Sequence, residues 1–156
     1  ESIRNDEAEE PEEAETEAGE ITVELVRSNK IKEMSLACSK TIKNGFDLEL
    51  SDGTYHFSMT LQDQANLNAA YVEILSGKEE IPYHADGNDL KLFSVDDMEK
   101  IISGANDHKT YNLAYFNSLR NWLNALIKIS TIENVEYGST IPKKYQTALL
   151  KKYLSE

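Results

Sequence analysis

Residues 81–87 read IPYHADG, and they hold the chain's most suggestive pair of reactive side chains. His84 and Asp86 stand two apart, a spacing that on a strand would aim an imidazole and a carboxylate at one side, as some oxygen- and nitrogen-ligand metal sites require. His56 or His108 would have to supply a third ligand, and no other pair of histidines in the chain shares a ligand spacing. On paper Ser58 or Ser94 could join His84 and Asp86 as a nucleophilic triad. Neither serine sits in a nucleophile-elbow context, and Ser94 with Asp97 reads instead as a helix cap. The acids are too many for a glycosidase pair to stand out, and no glycine-rich phosphate loop is present. The residues therefore assign no catalytic, cofactor-binding or metal site, and the expectation is a protein that is not an enzyme and needs no cofactor.

The same stretch has a simpler reading as a turn. IPYHA and DLKLF are short apolar-alternating runs on either side of DGN, which predicts a β-hairpin with Asp86–Gly87 at its corner. Pro82 cannot donate to a ladder and marks its strand as an edge. An earlier hairpin is predicted over FDLELSDGTYHFS, where Phe46, Leu48 and Leu50 alternate with acids and Asp52–Gly53 makes the turn. His56 there is out of phase with Tyr55 and Phe57 and should face away from them.

Helices account for the rest. Ile31, Met34, Cys38 and Ile42 form one apolar face within 21–44, closed by Gly45, so Cys38 reads as a core residue and not a reactive thiol. A second helix is predicted to start at the N-cap Thr60 with Asp63 at its third position, to bury Leu67, Tyr71, Ile74 and Leu75, and to end at Gly77. From 94 to about 127 a stripe running through Met98, Ile101, Ala105, His108, Asn112, Tyr115, Leu119, Trp122 and Leu126 stays in phase across Gly104. Such a helix would measure about 50 Å, whereas a compact body of this size has a diameter near ~37 Å. Either the helix breaks at Ser103–Gly104 or its end projects onto a partner. His108 and Asn112 interrupt the apolar stripe, so either hydrogen bonds inside the core satisfy them or they set register in a seam between subunits, with self-association through 105–126. Ser130 and Glu133 match a capping box for one short turn, and a last helix is expected from Pro142 with Tyr145, Leu149 and Tyr153 on one side. The expected fold is α+β: two β-hairpins packed with three main helices, one of them long, plus a short C-terminal helix.

Charge is unevenly spread. The net charge of the 156 residues is −12, and residues 1–20 alone carry ten acids against Arg4, a net of −9. That segment has almost nothing apolar to bury and reads as a disordered arm or linker, with docking to a basic partner as the sharper alternative. Residues 21–156 read as one domain. Nucleic-acid binding is disfavoured, because phosphates call for clustered cations and the nearest candidate cluster is Lys143, Lys144, Lys151 and Lys152, which fit the wet face of a short helix. A single cysteine allows no intrachain disulfide, and no apolar run approaches the ~20 residues of a membrane helix. The sequence opens on Glu1 and not on Met, which fits a fragment or a processed product.

Several blocks in order carry a family resemblance: GFDLELSDGTYHFSMTLQDQANLNAAY, then IPYHADG, then HKTYNLAYFNSLRNWLNAL and VEYGSTIP. Over roughly residues 31–142 the chain resembles an uncharacterised domain of tailed bacteriophages and prophages, found in tail-fibre and tail-fibre-assembly proteins. The resemblance implies a non-enzymatic tail-module protein whose partners are other phage tail proteins, present in the host bacterial cytoplasm during assembly and then in the virion tail. The alternatives are an assembly chaperone that leaves before the virion is complete and, from a different class, a metal-assisted hydrolase of host surface polymers. The resemblance assigns no catalytic residue and does not reach the acidic segment before residue 21.

Overall fold

The computed structural model describes residues 20–156, so the acidic arm read over 1–20 lies outside the described residues except for Glu20. The fold is α+β, with helix α1 at Val23–Asn44, strands β1 at Phe46–Leu50 and β2 at Gly53–Phe57, and helix α2 at Leu61–Leu75. Strands β3 at Glu80–Tyr83 and β4 at Lys91–Ser94 follow, then the long helix α3 at Val95–Ala125. A short α4 at Ile129–Glu133, a 3-10 turn at Lys143–Tyr145 and α5 at Ala148–Leu154 complete the chain. The strands form two separate antiparallel hairpins. Phe46 stands opposite Phe57 in the first, and Ile81 opposite Phe93 in the second.

Local chemistry explains most of the boundaries. Thr22 caps α1 by accepting the Leu25 N–H at 3.1 Å. Gly45 ends α1 at φ +83°, and a Cβ there would lie 1.8 Å from the Phe57 carbonyl oxygen, so only glycine lets the first hairpin fold back against the helix. Thr60 and Asp63 form the reciprocal capping box of α2. Ser94 accepts the Asp97 N–H at 3.2 Å, but the Asp97 carboxylate turns elsewhere and takes a 2.6 Å hydrogen bond from the Ser51 hydroxyl.

Helix α3 is unbroken. Its 31 residues span about 46 Å, and Gly104 is a packing site and not a hinge: a Cβ there would stand 2.9 Å from the Phe46 ring. The conflict between helix length and compact diameter is resolved by two cores set end to end along α3. The first joins Cys38 and Ile42 of α1, Phe57, Leu67, Ile81 and Phe93 with Met98, Ile101 and Ala105 of α3. The second joins Met34 of α1 with Ala114, Tyr115, Leu119 and Leu123 of α3, Ile132, Ile141 and Leu150. Arg27 ties the far end of α3 to α1, donating to the carbonyls of Leu123 at 3.1 Å and Leu126 at 2.6 Å.

Several boundary and burial expectations need correction. The face of α2 toward the core is Leu67, Ala70 and Ile74, whereas Tyr71 and Leu75 are 50% and 68% exposed. Each residue advances about 100° around a helix, so burying the small Ala70 swings Tyr71 outward. The loop of the second hairpin is longer than the DGN turn suggested and takes in residues 84–90. Helix α3 stops at Ala125, leaving Ile127 79% exposed. The capping box at Ser130 does not form, because the N-cap is Lys128, two residues earlier, and Ser130 lies inside α4. The C-terminal helix starts at Ala148 and not after Pro142: Gln146 is extended, and Thr147 caps α5 by accepting the Leu150 N–H at 3.2 Å. Within α5 it is Leu150, not Leu149, that is buried.

Candidate functional site

The structure brings His56, Ser58 and Asp86 together but spends their polar groups on the backbone and on one another, and it does not join them with His84 or His108 in a reactive cluster. His84 lies just beyond β3, in the loop, so the two-apart geometry of a strand does not apply to His84 and Asp86. His84 stacks on Tyr83 with ring centroids 5.9 Å apart and donates from Nδ1 to the Ala85 carbonyl at 3.3 Å. Asp86 serves the backbone instead. Its N–H donates to the His56 carbonyl at 2.9 Å, and its carboxylate accepts from the Ser58 N–H at 3.3 Å. The other carboxylate oxygen lies 3.6 Å from His56 Nε2.

His56 faces away from Tyr55 and Phe57, as its phase requires, and meets oxygen on both sides of its ring. Nδ1 is 2.7 Å from Asp47 Oδ1, and Nε2 is 2.6 Å from the Asn44 carbonyl at the end of α1. Neither oxygen can donate, so both bonds form only when both ring nitrogens carry protons. The Asp47 carboxylate foremost, then the Asn44 carbonyl, raise the His56 pKa above its ordinary value. In its protonated form His56 is thus a latch joining the end of α1, β1 and the loop of the second hairpin. Lys91 of β4 makes a second tie between the hairpins, donating to Asp52 and, at 2.9 Å, to the Tyr55 hydroxyl.

Other candidates are structural as well. Ser58 donates to Asp63, the capping carboxylate of α2, at 2.8 Å and Ser94 caps α3, so neither hydroxyl is paired with a histidine. His108 donates from Nε2 to the Thr41 carbonyl at 3.0 Å. Buried Asn112 donates to the His108 carbonyl at 2.8 Å and accepts from the Tyr137 hydroxyl at 2.6 Å. Both polar interruptions of the long stripe are therefore satisfied inside the chain, and its apolar residues are covered by the two cores. Burial pushes the Tyr137 hydroxyl well above, and the Cys38 thiol above, its usual value, and Cys38 packs in the first core as expected. No group of three His, Cys, Asp or Glu suited to a metal ion occurs among the described residues.

What the fold does present is a groove. α2 supplies Asn66, Ala69, Ala70 and Glu73 as one wall, and the second hairpin supplies Pro82, Tyr83, His84 and Leu90 as the other, enclosing about 510 Å³. Its polar groups are few. Glu73 is engaged by Lys78 at 2.9 Å, and burial pushes the Tyr83 hydroxyl up to about 12, too high to exchange a proton near neutrality. The outer wall is open to solvent: Leu90 is 72% exposed, and Leu92, 58% exposed, stands next to the wall beside Pro82 in the ladder.

The sequence reading missed this groove, although a signal existed. Strand alternation in LKLF puts Leu92 on the side opposite Phe93, so burying Phe93 must expose Leu92, next to Pro82 at the groove. Likewise Ala69–Leu75 holds more apolar residues than one helical face can bury. The four C-terminal lysines are exposed; Lys143 and Lys151 line a second open depression of about 530 Å³ with Gln146 and Leu154, while Lys152 lines a smaller one with Asp107 and Glu156. No described helix is long and apolar enough to cross a membrane.

Compared with models of protein families, with curated proteins and with solved structures, the chain gives no significant match.

Proposed function

We propose that this chain is a non-enzymatic contact module of a phage or prophage tail, working by docking other tail proteins and not by transforming a substrate. The observation that carries the reading is the groove between α2 and the second hairpin, whose outer wall keeps Leu90 in water, with exposed Leu92 beside the wall residue Pro82 in the ladder. Large side chains left exposed together beside a concave surface are what a docking site needs. The tail setting is supported by the ordered sequence blocks over residues 31–142.

The test is mass spectrometry of particles purified from a producing host. A tail component is found in the particles at a fixed ratio to other tail proteins. An assembly chaperone is abundant in the host cytoplasm and absent from the particles. Absence from both, or a coding region set among genes unrelated to tail, baseplate or lysis proteins, overturns the reading.

A further inference from the structure

The geometry points to the occupant of the groove: a short apolar segment of a different protein, flanked by lysine or arginine. This rests on the contact-module reading and names the chemistry of the partner. Shape sets the first half of the requirement. Along α2 the groove runs from Asn66 to Glu73, two helical turns or about 10 Å, so it accepts a few apolar side chains and not a large domain surface. Ala69 and Ala70 carry no bulk to hold a backbone away, while Pro82 and Leu90 offer apolar contact opposite.

Charge sets the second half. The two lysines of these elements are already engaged, Lys78 by Glu73 and Lys91 by Asp52. Glu79, Glu80 and Asp89 have no hydrogen-bond or ion-pair partner among the described residues. Glu80 shares the outward side of β3 with Pro82, and Asp89 directly precedes Leu90, so the rim of the groove is acidic. A rim of that sign attracts a cationic flank and repels an anionic one. It disfavours residues 1–20 of this chain, with ten acids and little to bury, and a second copy whose net charge is −12.

The test uses the full chain and three labelled peptides, followed by fluorescence anisotropy at low and moderate salt. One peptide has leucines at helical steps of three and four with lysines elsewhere, the second has glutamates in place of the lysines, and the third keeps the lysines but replaces the leucines with serines. The first should bind at least about tenfold more tightly than either of the others, and weaken with salt. Leu90→Asp and Ala69→Lys should each reduce its binding about tenfold or more, while Leu149→Asp on α5 should leave it unchanged. Leu90 is 72% exposed, so Leu90→Asp should melt like the parent. Equal binding of the lysine and glutamate peptides, binding of the lysine–serine peptide as tight as the first, binding indifferent to Leu90→Asp and Ala69→Lys, or no binding by any peptide overturns the inference. None of those results touches the particle analysis, so the contact-module reading stands or falls separately.

Discussion

Replacing His56 by alanine should lower stability by an amount that depends on pH. The imidazolium makes two hydrogen bonds, at 2.7 Å to Asp47 and 2.6 Å to the Asn44 carbonyl, with Asp86 3.6 Å away. Buried charge-assisted bonds contribute about 1.5–3 kcal/mol each, but the His56 side chain is 42% exposed and that of Asp47 75%. Water screens such pairs toward ~0.5–1 kcal/mol each, so the latch contributes about 1–2 kcal/mol, or roughly 3–6 °C of Tm. The folded pKa lies above the ordinary ~6.5. The stabilisation is therefore complete below about 6.5 and fades as pH rises through the folded value. A neutral ring has one donor and retains one bond, which leaves about 1–2 °C. Thermal melts of the parent and His56→Ala from pH 5.5 to 9 give the difference directly, because groups common to both proteins cancel. The gap should be widest at the acid end and narrow toward pH 9. A gap that stays constant, or widens with pH, refutes the imidazolium latch.

Three further outcomes follow from packing and hydrogen bonding. Gly45→Ala places a Cβ where the Phe57 carbonyl stands, at a φ that disfavours side chains, and should cost more than about 3 kcal/mol by denaturant unfolding or prevent folding. Arg27→Ala removes two bonds to the last carbonyls of α3 and should lower stability by about 2 kcal/mol in urea, with amide exchange quickening first near Leu123. Tyr137→Phe leaves the Asn112 side-chain oxygen without its donor inside the second core and should cost about 1–3 kcal/mol in the same assay.

The elements were legible where side-chain period and capping agree. Both hairpins, α1, α2 and the unbroken α3 follow from alternation, Asp–Gly turns and caps at Thr60 and Ser94, because those signals are local. The reading failed where a small residue decides the outcome. Ala70 carries too little apolar weight to stand out beside Tyr71, yet it is the residue that lets α2 approach the core. The arrangement of two cores along α3 depends on which elements share it, and no local period records that. The site was hidden for a related reason. His84 and Asp86 drew attention as reactive types, whereas the groove is made of alanine, proline and leucine, whose role appears only when α2 and the second hairpin stand side by side. The His56 latch was half visible: strand phase gave its outward direction, but Asn44 and Asp86 reach it through the fold.

The claim that most of the functional account depends on is that the groove is where a partner docks. Amide chemical-shift mapping of the full chain during titration with the lysine–leucine peptide locates the contact. The account requires the largest shifts at Ala69, Ala70, Glu73, His84 and Leu90, saturating together. Largest shifts along Lys143–Leu154, within residues 1–20, or spread without saturation over the whole surface would contradict it.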